Sequence, residues 1–219
     1  AQGMASMGSL SGAGAADYGL VGMGDGILTL ASAYPMVAPY GDGAFDTGRP
    51  TRYGDLAYND VANYSVRTVV AAGTRVVTNL VDEGPQEAGA RGEVWTSRGA
   101  LVRDFVLVAG RDLESATKTQ GGVTVRSHFR AKDAKAGQRA LETAAISLGA
   151  YERRFGPYPW SEMDVAEATL VGGAGGVEFC SMILIAGMFY RPPSQSTSQM
   201  KMLMDLWSAL GSGIAEGLE

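Results

Sequence analysis

Alternating apolar and polar positions run through the middle of the chain. Ala62-Asn63-Tyr64-Ser65-Val66-Arg67-Thr68-Val69 has the two-residue period of a half-buried strand. Ala71–Thr74 predicts a turn, Arg75–Thr78 a second strand, Glu93–Ser97 a third and Leu101–Val108 a fourth, with Glu83-Gly84-Pro85 as a break. Short strands spaced by turns predict an antiparallel sheet domain. Upstream, Ile27-Leu28-Thr29-Leu30 predicts a short strand. The prolines of Ala33–Tyr40 keep that stretch extended or turning, and Gly41-Asp42-Gly43 and Asp46–Pro50 are turn material.

The pattern changes after residue 110. Gly110–Leu113 closes the first block, and Lys118–Gly122 reads as a polar turn. Val123–Phe129 alternates again, with Val123, Val125, Ser127 and Phe129 on one face and His128 on the other, as a surface histidine. A helix follows, with Asp133 as its cap. Leu141, Ala145, Leu148 and Phe155 share its apolar face, Ala144 and Tyr151 lie beside it, and Gly156-Pro157 stops it. Met163–Ala166 and Val177–Ile185 each predict one strand. Ser196–Leu210 predicts a second helix, with Met200, Leu203, Met204, Trp207 and Leu210 as its apolar stripe. Strands and helices do not alternate regularly, so a doubly wound sheet is not expected.

Composition sharpens this picture. Glycine is abundant, at 31 of 219 residues, and clusters in the first 54 residues and at 172–176. Residues 1–28 therefore read as a mobile start. The 18 basic and 23 acidic residues give a net charge of -5 without a basic run, which argues against nucleic acid as a partner. No apolar stretch reaches the length of a membrane-spanning helix. Cys180 is the single cysteine and reads as a small apolar core group. With one histidine, His128, one copy of the chain cannot build a zinc site of two or three histidines. A Ser-His-Asp arrangement is possible in composition, although no Gly-x-Ser-x-Gly elbow supports it.

Several segments in order resemble one family. They are Tyr34–Tyr40, Ala62–Val66, Val102–Leu107, Tyr151–Trp160 and Gly175-Gly176-Val177-Glu178-Phe179. Together they resemble the M1-type zinc aminopeptidases, gluzincins with a thermolysin-like catalytic domain. The resemblance spans about residues 27–210. It implies an α+β fold: a partial, saddle-like antiparallel β domain over 1–117, then the incomplete start of a thermolysin-like catalytic domain over 118–219. The chain would be a fragment of a zinc metallopeptidase that removes N-terminal residues from peptides. By family spacing, the zinc-binding H-E-x-x-H helix would follow residue 219. Zinc is then a cofactor of the intact parent and none is expected in this chain, which alone would be inactive.

The same resemblance implies the binding residues. Gly175 and Gly176 offer backbone to a peptide, and Glu178 holds the free α-amine of its first residue. Val177 and Phe179 depart from the methionine and asparagine usual in the family motif. No catalytic and no metal-ligating residue is assigned within the chain. The expected partners are a peptide with a free N-terminus and the remaining C-terminal part of the same protein. The alternative is a non-catalytic peptide-binding or scaffold module of the same fold.

Overall fold

The computed structural model describes residues 19–46, 60–87, 92–171 and 174–191. The expected helix at 196–210, the turn material at 47–50, Gly172, Gly173 and the first 18 residues lie outside these ranges. The first described elements are strands β1 (Val21–Gly24) and β2 (Ile27–Ala31), and β1 lies within the stretch expected to be mobile. A two-strand hairpin follows, β3 (Tyr40–Gly41) and β4 (Ala44–Phe45). Then come β5 (Ala62–Val70), β6 (Arg75–Thr78), β7 (Val81–Glu87), β8 (Glu93–Val102), β9 (Val106–Gly110), β10 (Leu113–Gln120) and β11 (Val123–Arg130). A 3-10 turn, Ala131–Asp133, leads into the long helix α1 (Ala134–Phe155). Strands β12 (Glu162–Ala168), β13 (Gly176–Phe179) and β14 (Met182–Ala186) follow, then a 3-10 turn, Gly187–Tyr190.

The result is a mixed α+β fold. Besides the β3–β4 hairpin, two sheets are wholly antiparallel, one in the order β1-β2-β9-β6 and one in the order β5-β8-β7. The third has the order β10-β11-β12-β14-β13. Its central pairs, β11 with β12 and β12 with β14, are parallel, and its outer pairs are antiparallel. α1 makes the β11-to-β12 crossover, the long connection that parallel neighbours require.

Burial follows from how the layers stack. Val123, Val125, Met163 and Val165 of the five-stranded sheet pack against Leu141, Ala144, Ala145 and Leu148 of α1. The opposite face of that sheet, through Ala166, Met182, Leu184 and Ala186, packs on Ile27, Val77, Val106 and Val108 of the four-stranded sheet. The far face of the four-stranded sheet, with Val76, Leu107 and Ala109, meets Val70 and Trp95 of the three-stranded sheet. β9 is thus covered on both sides, and all five of its residues are buried. Gly137 lets α1 lie against the sheet, because a Cβ there would stand 1.9 Å from the Phe129 ring.

Several boundaries differ from the sequence expectation. Gly84-Pro85 does not break the chain; β7 is an edge strand that absorbs the pair in a register shift between Asp82 and Pro85. The strand expected at 101–108 is instead the end of β8, where Leu101 has a positive φ of 57°, and the start of β9, with residues 103–105 between them. Ser181, with a φ of 56°, likewise divides Val177–Ile185 into the β13–β14 hairpin. Lys118–Gly122 was expected to be a polar turn, but only Gly121 and Gly122 form the turn, and residues 113–120 form a strand, β10, that the sequence pattern did not predict. Residues 117 and 118 lie in the middle of that strand.

In α1, Tyr151 and Phe155 are exposed, at 62% and 77%, because the helix has outrun the sheet by its last turn. Asp133 makes no capping hydrogen bond; its carboxylate is buried and pairs with Arg130 at 3.0 Å. No helix among the described residues is long and apolar enough to cross a membrane.

Candidate peptide-binding edge

β13 is one border of the five-stranded sheet, and its alternation fixes what it presents. The Ala186 N–H donates to the Gly175 carbonyl at 3.0 Å, which makes these two residues a hydrogen-bonded pair. In an antiparallel ladder such pairs alternate. Val177 opposite Leu184 and Phe179 opposite Met182 then bond inward to β14. Gly176 and Glu178 stand between them, so their N–H and C=O groups turn away from β14, toward the side where no described strand pairs. Side chains alternate as well: Val177 and Phe179 are half-buried against the core between the sheets, and Gly176 and Glu178 are exposed.

All three residues expected to bind peptide therefore lie together. Gly175 precedes the strand under the Phe189 ring, where a Cβ would come within 3.2 Å of a ring carbon. A Cβ at Gly176 would stand 3.1 Å from the Leu184 carbonyl oxygen. Any larger residue at either position would push against a neighbour, so glycine keeps this backbone close to β14. The Glu178 carboxylate makes no hydrogen bond or ion pair with another described residue. Phe179, where the family motif has asparagine, serves the core instead.

The end of the hairpin is held firmly. The Ser181 hydroxyl donates to the Asn79 carbonyl at 2.7 Å, and the Cys180 N–H donates to Asp104 at 3.4 Å. The Asn79 amide in turn donates to Asp104 and accepts from the Val106 N–H, each at 3.0 Å. Cys180 is half-buried in this turn rather than a core group.

The opposite half of the same sheet is polar. His128 is not a surface residue: it is 6% exposed, because the four-stranded sheet covers the face that alternation assigned to solvent. Its Nε2 lies 2.9 Å from Asp164 and its Nδ1 lies 2.7 Å from the Ser115 hydroxyl. Arg126 holds Glu162 through two bonds of 2.6 and 2.7 Å and stands 3.7 Å from Asp164. These bonds hold the Glu162 carboxyl below its ordinary value and raise the Arg126 guanidinium above its own. At the strand ends, Arg130 pairs with Glu167, with Asp133 and, at 3.3 Å, with Asp25. Burial nevertheless pushes the Glu167 carboxyl upward, against the pull of Arg130. The sequence reading missed this network, whose members are far apart in the chain and are assembled by strand register.

No protein-family model matches the chain, and no curated protein matches it. Among the described residues, no group of three or more His, Cys, Asp or Glu could hold a metal ion. These findings overturn the assignment to the M1-type zinc aminopeptidases. With it go the metallopeptidase activity, the zinc cofactor of a parent protein and the identification of a thermolysin-like catalytic domain, all of which rested on short motifs. The mixed α+β class stands on the observed elements alone.

Proposed function

We propose that the chain is a peptide-binding module that takes an extended segment along the outer border of β13. A peptide strand laid there would bond to the outward main-chain groups of Gly176 and Glu178, as in other cases of strand addition. The exposed Glu178 carboxylate complements the ammonium of a free N-terminus. The observation that carries the reading is the coincidence of a strand border with an exposed carboxylate on it, neither of them paired with another described residue. The backbone supplies affinity independent of sequence, and the carboxylate selects the peptide end. Gly175 and Gly176 serve by keeping the strand close to β14. On this reading the two antiparallel sheets are the support, and the five-stranded sheet carries the binding edge at β13.

Binding of short extended peptides, free or N-acetylated, tests this by fluorescence anisotropy or calorimetry. A charge-assisted contact at an exposed site favours the free amine by about five- to tenfold. Glu178→Gln should remove that preference and leave binding of the acetylated peptide unchanged. Equal affinity for both peptides in the wild-type chain would refute the role of Glu178.

A further inference from the structure

The far border of the same sheet carries a different chemistry. β10 and β11 are joined by Gly121-Gly122, both at positive φ, so Gln120 and Val123 flank a two-residue turn as a hydrogen-bonded pair. Counting back along the ladder makes Ser115 opposite His128 a non-hydrogen-bonded pair, the type whose side chains lie closest. Arg126 stands opposite Asp164 across the parallel β11–β12 ladder, so Asp164 lies one residue pair along from His128 on the same face. Three adjacent strands thus place a hydroxyl, an imidazole and a carboxylate in a line. The Ser115 hydroxyl is 2.7 Å from Nδ1, and Nε2 is 2.9 Å from Asp164.

The roles along this line follow from the donors available. A carboxylate only accepts, so Nε2 carries the proton and donates to Asp164. In the neutral ring Nδ1 is then the bare nitrogen and accepts from the Ser115 O–H. Arg75 donates to the same Oγ at 2.8 Å, which places a permanent cation at the oxygen. The line also runs from water to interior: Ser115 is exposed, whereas His128 and Asp164 are 6% and 4% exposed. We propose that Ser115 is a nucleophile, activated by His128 and oriented through Asp164, that accepts acyl groups from carboxylic esters.

In the first step Oγ bonds to the ester carbonyl carbon, and its proton passes to Nδ1. The carbonyl oxygen takes up the negative charge beside the Arg75 guanidinium. The C–O bond to the alcohol then breaks, and the alcohol leaves with the proton from Nδ1. Water repeats the sequence on the acyl-serine, releasing a carboxylic acid and restoring Ser115. The hydroxyl lies on an open strand, so small esters with an accessible carbonyl are the fitting class. The arrangement reproduces the Ser-His-Asp logic on a strand surface, with no Gly-x-Ser-x-Gly elbow and with the two ring nitrogens exchanged.

The test uses the full chain and an alkyl fluorophosphonate. Attack by Oγ forms an O–P bond and expels fluoride, leaving a stable adduct that intact mass and peptide mapping locate. One adduct per chain at Ser115, lost in urea and in Ser115→Ala, is expected. Ser115 is exposed, so that variant should keep its circular dichroism spectrum and melting temperature. Arg75→Ala, also at an exposed site, should slow labelling at least tenfold. A hydroxyl that serves only as a hydrogen-bonding bridge between the sheets would not be labelled. Absence of an adduct at Ser115, or labelling as fast in the unfolded chain, overturns the proposal.

Discussion

The two borders of the five-stranded sheet solve different problems. β13 is four residues long and attached to a hydrophobic interior, and it presents main chain plus one carboxylate that has no partner among the described residues. β10 is eight residues long and largely polar, and its Ser115 is wired into a network that runs inward to His128, Asp164 and Arg126. In the proposals above, one border binds by backbone and the other acts through side chains. The difference originates one strand further in. Leu184 of β14 is fully buried against the four-stranded sheet, whereas the matching positions of β11 are Arg126, His128 and Arg130. On the proposed reading, backbone register governs binding at β13, whereas buried charges line the β10 side of the sheet.

The sharpest break of this comparison is Arg130→Ala. Its guanidinium is 5% exposed and faces Glu167, which has no exposure at all. Removing it strands a buried carboxylate, which costs about 3–5 kcal/mol. Chemical denaturation should show that loss; a change under about 1 kcal/mol would mean that water or another cation replaces it. Next is a pair of proline substitutions in β13. Val177 bonds inward, so Val177→Pro should destabilise by about 3 kcal/mol, the order of cost for a proline that both removes a bond and clashes. Glu178 turns its N–H outward, so Glu178→Pro should leave the melting temperature nearly unchanged and abolish peptide binding. Equal destabilisation by the two would contradict the alternation.

The loss of amine preference in Glu178→Gln, about five- to tenfold, ranks third. The smallest effect is on acid stability. Arg126 lowers the Glu162 carboxyl in the folded chain, so the pair stabilises above the unfolded value of 4.5. That stabilisation fades as the pH falls through the lower folded value. Glu162 is partly exposed, so its share is about 1 kcal/mol or less. Glu162→Gln should be slightly less stable than wild type at pH 7 and should lose less on acidification below pH 4.5. A parallel pair of stability curves would remove Glu162 from the account.

Local periodicity made much of this legible. The strands at 27–31, 62–70, 75–78 and 123–130 and the helix from 134 follow from alternation and from the spacing of Leu141, Ala145 and Leu148. β10 was not legible, because Leu-Glu-Ser-Ala-Thr-Lys-Thr-Gln has no apolar alternation; it is a strand because β11 pairs with it. His128 was placed on the correct face, but the sequence does not say that a second sheet covers that face. The same holds for Ser115, His128 and Asp164, which lie 13 and 36 residues apart and meet only through register. Gly175, Gly176 and Glu178 were found because they are neighbours in the chain. The family read from five short motifs was not supported, since motifs of this length recur without common descent.

Amide hydrogen exchange of β13, measured by NMR with and without a saturating free-amine peptide, tests the central claim most directly. Val177 and Phe179 bond to β14 and should be protected in both states. Gly176 and Glu178 should exchange fast alone and slow at least tenfold when the peptide is bound. Unchanged exchange at Gly176 and Glu178 under saturation would show that the peptide does not add to this edge.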